Sequence, residues 1–104
     1  MGKPLIRFRV PAEVAVLVRG LHPDMKRKVR AALDRLALDA EAGKALQGDL
    51  KGLRSLGVAR FRVIYRPRSP QVIEIVSIGP RDRIYEETLR LVRRSASVKA
   101  TFTL

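Results

Sequence analysis

The sequence predicts an α+β domain: an N-terminal strand, a helical hairpin, a three-stranded antiparallel meander and a C-terminal helix. Three observations carry this. Leu5 to Val10 alternate with period two, the stretch from Ala12 to Ala42 repeats its apolar residues at helical spacing, and the segments after it are short runs of strand character separated by turn residues.

In the first strand, alternation puts Ile6, Phe8 and Val10 on one face, and Pro11 ends it. From Ala12 to Leu21, Val14, Leu17, Val18 and Leu21 follow a helical stripe that stops at Gly20 and the His22-Pro23 step. A longer helix is predicted from Pro23 to Ala42, with Met25, Val29, Leu33, Leu36, Ala37 and Ala40 in one stripe. Pro23 suits its first turn and Gly43 its stop. So short a connection makes the two helices an antiparallel hairpin whose apolar stripes need a sheet to cover them. After a linker holding Gly43, Gly48 and Gly52, strands are predicted over Leu53–Val58, Arg60–Arg66 and Val72–Ile78, with Arg68-Ser69-Pro70 as a turn. The closing helix is predicted from Asp82, a candidate cap, to Arg94, with Ile84, Thr88, Leu91 and Val92 on one side.

The 104 residues, 46% of them hydrophobic, suffice for one core, so residues 1–94 form a single domain and 95–104 a weakly patterned tail. The formal net charge is +12, from 22 basic and 10 acidic side chains, far beyond what solubility asks of a small domain. A polyanionic partner accounts for it. Residues 51–94 carry eleven basic side chains against four acidic, and all but Lys51 of the eleven are Arg, whose planar fork matches phosphate oxygens. With no cysteine, disulfides, thiol nucleophiles and cysteine metal sites are excluded. The apolar stretch Ala12–Val18 is broken at Glu13 and too short to span a membrane or form a signal-peptide core. A cytoplasmic protein without membrane association is expected.

Two segments could carry chemistry. In Arg60-Phe61-Arg62-Val63-Ile64-Tyr65-Arg66, alternation directs Phe61, Val63 and Tyr65 to the core and Arg60, Arg62, Ile64 and Arg66 to the other face. Guanidiniums on a strand are held rigidly, which suits phosphate binding; a solvated outer face would show the same pattern. In Gly79-Pro80-Arg81-Asp82-Arg83-Ile84-Tyr85, a strand gives way to a helix whose amides and dipole favour anions, and Arg81 and Tyr85 lie one turn apart. His22 is the only histidine, so no two-histidine acid/base pair exists, and its place before Pro23 marks a surface turn. Glu86/Glu87 and Asp39/Glu41 fall where solvated charges are usual, and Gly48, Gly52 and Gly57 lack the spacing of a nucleotide loop.

Taken in order, Gly43-Lys44-Ala45-Leu46-Gln47-Gly48, Leu50-Lys51-Gly52-Leu53-Arg54-Ser55-Leu56, the Arg60 strand and Ser77-Ile78-Gly79-Pro80-Arg81-Asp82-Arg83-Ile84-Tyr85 resemble the RelE/ParE toxin superfamily. The likeness in element order spans residues 5–94, and its specific motifs lie between Gly43 and Tyr85. The resemblance implies a toxin of a toxin–antitoxin pair, with cleavage of messenger RNA on the ribosome as the expected activity. Arg62, Arg81 and Tyr85 then surround the scissile phosphate, and Lys51, Arg54, Arg60, Arg66 and Arg83 contact RNA. It further implies a cognate antitoxin and a toxin–antitoxin hetero-oligomer, with neither metal nor other cofactor. The implied reaction is attack by a ribose 2′-hydroxyl on its adjacent phosphate, which needs base assistance, stabilisation of an anionic transition state and protonation of the leaving oxygen. Arg62 and Arg81 suit the electrostatic part, since a guanidinium stays protonated; Tyr85 suits orienting or activating the hydroxyl, or stacking on a base.

The sequence departs from the family pattern at several positions. Leu53 and Ser55 stand where many active members have lysines, Gly57 where an Arg is frequent, and Pro80 where a His often precedes the second arginine. These departures keep two alternatives open: a ParE-like inhibitor of DNA gyrase, and a catalytically degenerate member that binds only its antitoxin.

Overall fold

A computed structural model describes the backbone of residues 6–103 and side chains up to residue 94. Strand β1 (Arg7–Arg9) leads into helices α1 (Ala12–Arg19) and α2 (Pro23–Leu38). The two-residue strand β2 (Lys44–Ala45) and a 3₁₀ turn (Gly48–Leu50) follow, then β3 (Arg54–Val58), β4 (Phe61–Ser69), β5 (Val72–Pro80) and α3 (Ile84–Thr103). The strands form one sheet in the order β1-β5-β4-β3-β2. Its centre is the expected antiparallel meander. At one edge β1 pairs in parallel with β5, and at the other β2 adds a short rung to β3.

The helical hairpin covers one face of this sheet. Val14, Val29, Ala32 and Leu36 from the helices meet Leu56, Val58, Val63, Tyr65, Ile73, Ile75 and Ile78 from the strands. Leu36, Val63 and Tyr65 are at most 1% exposed, and each such side chain contributes roughly 1.5–3 kcal/mol of burial. The opposite face is not simply solvated. There α3 lies across the strands, and Ile64, Leu53 and Ile84 form a second cluster. The pattern of alternation put Ile64 on an outer, guanidinium-bearing face; the residue is fully buried instead, because the closing helix docks on that face. Val63-Ile64-Tyr65 therefore reads as the continuous apolar run of a strand covered on both sides. The arginines of that face are confined to the two ends of β4, beyond the footprint of α3.

Local chemistry explains where element ends differ from expectation. Helix α2 stops at Leu38 rather than Ala42, since Asp39 is extended and its carboxylate accepts from the Glu41 N–H. Gly43, expected as the helix stop, is required by close packing: a Cβ there would lie 2.7 Å from the Tyr65 ring and hydroxyl. The Tyr65 hydroxyl donates to the Ala40 carbonyl at 2.8 Å and accepts from the Gly43 N–H at 2.9 Å, anchoring the linker to the middle of the sheet. At the start of α2, His22 Nδ1 accepts from the Asp24 N–H, so this turn residue is also the helix cap. Strand β4 runs through Pro67 to Ser69, tolerating the proline because the pairing slips there and leaves Arg68 out of register. The first turn of α3 is set by the Arg83 carbonyl, which accepts from Glu87 N–H, one position past Asp82, and the helix continues beyond Arg94. Thr88 holds α3 to the sheet through Ser77 Oγ at 2.7 Å.

Candidate functional site

One end of the sheet gathers Arg60, Arg62, Arg81, Arg83 and Tyr85 of the residues singled out in the sequence. The β3–β4 connection is a two-residue turn, Ala59-Arg60, tight enough to put Ala59 at φ 55°. The Arg81 N–H donates to the Arg60 carbonyl at 2.9 Å, which ties this turn to the β5–α3 junction. Arg60, Arg81 and Arg83 are therefore neighbours on an exposed rim.

Arg62 stands behind that rim on the face shared with α3. In the sheet its partners are Gly57 on β3 and Gly79 on β5, so no side chain rises on either side of it. A Cβ added at Gly57 would come within 3.6 Å of Arg62 Nη1, which shows the guanidinium extended across that glycine. Gly79 leaves space on the other flank for Ile84, whose Cδ1 would lie 2.9 Å from an added Cβ. Arg62 is half-buried, and no carboxylate among the described residues lies within salt-bridge distance of Arg60, Arg62 or Arg81. Arg83 Nε is 3.9 Å from Asp82.

Tyr85, in the first turn of α3, is 37% exposed, and its hydroxyl sits 3.0 Å from Ser55 Oγ. Ser55 is 2% exposed and lies on the same strand face as Gly57, two residues along β3. The arrangement is an open shelf: a guanidinium whose donors have no partner among the described residues, a phenol steered by a buried hydroxyl, and a rim of arginines. Such a shelf attracts a phosphodiester and presents one side chain, Tyr85, that can both donate and accept a proton-sharing bond.

The other expected contacts are distributed differently. Arg54 lies on the opposite face, where Nε donates to the Gly43 carbonyl and Nη2 to the Glu41 carbonyl, both at 3.0 Å. Arg66 is on the Arg62 face but four residues along β4, roughly 13 Å away, and its Nη2 is 2.7 Å from Glu74 Oε1. Lys51 is exposed after the 3₁₀ turn and borders a groove of about 530 Å³ between α3 and the sheet. Neither that groove nor a second one, of about 480 Å³ beside the linker, is lined by Arg62, Arg81 or Tyr85. Sequence reasoning missed the partnership of Ser55 with Tyr85 and the glycines that flank Arg62. Ser55 shares its strand face with Gly57, but only the pairing register and the landing of α3 disclose the contact.

This sheet, wrapped by a helical hairpin on one face and a closing helix on the other, is the fold of the RelE-type toxins. A toxin RelE mutant from Escherichia coli in the free state superposes with a TM-score of 0.67 at 14% identity, covering 88% of this chain and 97% of that one. RelE from the archaeal RelE–RelB complex of Pyrococcus horikoshii gives 0.60 at 23% identity, covering 75% and 97%. YafQ from E. coli gives 0.60 at 17% identity, covering 77% and 98%. At these identities the likeness is one of fold. The family model described as the ParE toxin of the type II toxin–antitoxin system parDE matches residues 6–85. The chain belongs to that family, and so to the RelE/ParE toxin superfamily. Among curated proteins none matches the chain. No helix among the described residues is long and apolar enough to cross a membrane.

Proposed function

We propose that the protein is a ribosome-dependent endoribonuclease that cleaves messenger RNA, held in check by a cognate antitoxin in a hetero-oligomer. The observation that carries this reading is Arg62, flanked in the sheet by two glycines, its guanidinium laid over Gly57 without a partner among the described residues, on the same face as the Ser55-supported hydroxyl of Tyr85.

In the proposed reaction the 2′-oxygen bonds to the adjacent phosphorus, the bond from phosphorus to the 5′-oxygen breaks, the 2′-hydroxyl loses its proton and the departing 5′-oxygen gains one. Charge builds on the non-bridging oxygens, where Arg62 and Arg81 stabilise it and hold the backbone in line. Tyr85 orients the 2′-hydroxyl. Arg60, Arg83 and Lys51, all exposed, supply further contacts to RNA; Arg54 keeps its bonds inside the molecule. The chemistry asks for no metal, and the products carry a 2′,3′-cyclic phosphate and a 5′-hydroxyl. A cytoplasmic location follows from a ribosomal target. The RelE–RelB complexes from P. horikoshii and Mycobacterium tuberculosis support the antitoxin partner.

A second reading, inhibition of DNA gyrase, is favoured by the match to the ParE model and by Leu53 and Ser55 at positions where lysines are frequent in active nucleases. Ribosome-programmed cleavage and gyrase supercoiling, assayed side by side with the unmodified protein and with Arg62→Ala, separate the two. Cleavage lost on substitution is expected; intact message with arrested supercoiling would overturn the nuclease reading.

A further inference from the structure

The strongest charge concentration outside the shelf lies at the other end of the same sheet face. Three strands build it. Arg9 on β1 is in register with Glu74 on β5, and Glu74 is in register with Arg66 on β4. Phe8 packs with the core of the hairpin face, so its neighbours Arg7 and Arg9 are turned to the α3 face. Arg68, the residue left out of register after Pro67, brings its Nε to 3.9 Å from Glu74 Oε1. Arg66 contacts the same oxygen through Nε at 3.1 Å and Nη2 at 2.7 Å.

Arg66 and Arg68 thus contact one carboxylate, both through Oε1, while Arg9 is its register partner on β1 and Arg7 lies two residues along the same strand face. The side chains of Arg66 and Arg68 are 40% and 47% exposed, and Arg7 and Arg9 are exposed. The flanks add Lys51 and Arg94 on the adjoining groove, with Arg93 on α3. The opposing charges there are Glu13, on the groove wall, and Asp49, 3.4 Å from Arg93. Seven cations against three carboxylates leave a strong excess. One carboxylate is too little charge for the cluster, yet it stands where a phosphate oxygen would bind.

The geometry points to Arg7, Arg9, Arg66 and Arg68 as a second phosphate-binding site, which grips an RNA backbone at a distance from the cleavage shelf, with Glu74 occupying the position that an RNA phosphate takes on binding. The site rests on the reading that the protein acts on RNA. An RNA backbone is favoured over an acidic polypeptide because Arg7 and Arg9 on β1 and Arg66 and Arg68 on β4 are fixed on strands to either side of β5, a rigid spacing that suits a regularly charged polymer. Its function is affinity; the chemistry stays with Arg62, Arg81 and Tyr85. Carboxylate and phosphate compete for the same donors, so removing the carboxylate must strengthen binding, an effect opposite in sign to that of removing an arginine.

The test is binding of the full chain to poly(U) over a salt series, with poly-L-glutamate as comparison, and single-turnover cleavage on saturating ribosomes. Arg7→Ala/Arg9→Ala is expected to lower affinity for poly(U) several-fold and to reduce the slope of log K against log salt by about 1.4, two contacts at ~0.7 each. Its saturated cleavage rate should match the unmodified protein. Glu74→Gln is expected to bind poly(U) roughly 3- to 10-fold more tightly, which no loss of folding would produce. An unchanged slope in the double variant, weaker binding by Glu74→Gln, or a loss confined to poly-L-glutamate would overturn the site. Absence of cleavage by the unmodified protein would overturn the nuclease reading alone, since the slopes are read without it.

Discussion

Ser55 Oγ and Tyr85 Oη stand 3.0 Å apart, the first nearly sealed inside the sheet and the second open to solvent. A buried hydroxyl whose bond goes to an exposed phenol fixes that phenol's position at small cost in mobility, and leaves the rest of its hydrogen-bonding capacity directed outward. If Tyr85 acts on a ribose, Ser55 acts through it as a positioning residue. Tyr85→Phe is expected to reduce the single-turnover cleavage rate by about 10²-fold or more, and Ser55→Ala by about tenfold. Because the two act as a unit, the double variant should be no slower than Tyr85→Phe alone, and the cycle of rates checks this.

Arg62 offers a planar fork laid over Gly57, so shape matters there as well as charge. Arg62→Ala is expected to lower the saturated cleavage rate about 10²- to 10³-fold, the range for loss of one transition-state donor. Arg62→Lys should recover little of it, because a point charge cannot reproduce the two-pronged contact. Circular dichroism and the unfolding midpoint of both variants should match the unmodified protein, since the side chain has no partner to lose among the described residues.

The Tyr65 anchor makes the linker sensitive to single-atom changes. Tyr65→Phe strips the partner from the Gly43 N–H and the Ala40 carbonyl, costing about 1–3 kcal/mol. Gly43→Ala forces a methyl against the Tyr65 ring and the Ser55 carbonyl, costing about 1–3 kcal/mol. Urea unfolding measures both, and a change below about 0.5 kcal/mol in either would contradict the packing described.

Glu74 links stability to acidity. The hydrogen bond from Arg66 holds its carboxyl below the ordinary carboxylate value, with the charges of Arg66, Arg68 and Arg9 adding to the effect against a partial opposition from burial. The unfolded chain therefore takes up the proton more readily than the folded one. The stabilisation is complete above the unfolded value, 4.5, and disappears as pH falls through the lower folded value. Glu74→Gln should flatten this part of the acid limb, a difference that thermal unfolding between pH 3 and 6 detects.

Much of the architecture was legible because periodicity reports which face of an element is covered. Val14, Val29 and Leu36 lie on the expected stripes, and Val63 and Tyr65 face the hairpin as alternation required. Ile64 shows the limit. Its neighbours suggested an outer face, but burial of that face depends on where α3 returns, a tertiary event that leaves no trace in the period of β4. The same reason hid the cluster around Glu74: alternation turned Arg7 and Arg9 outward, but not toward Glu74, which required the parallel pairing of β1 with β5. The shelf was read from motif order, and its supporting parts, Ser55, Gly57 and Gly79, emerge only from register. The end of α2 at Leu38 depended on Asp39 turning its side chain onto the backbone, a competition that helical spacing does not record.

The pairing of Arg7 with Val72 and of Arg9 with Glu74 joins positions sixty-five residues apart, across every intervening strand and both helices of the hairpin. During synthesis the first strand must wait, unpaired, until the fifth has emerged, because loop closure over such a span is rewarded only when the partner exists. The charged cluster that joins β1, β5 and β4 is therefore among the last features of the sheet to form. A nascent chain carries these arginines far apart until β5 has emerged, and gains its concentrated positive face only when the first and fifth strands meet.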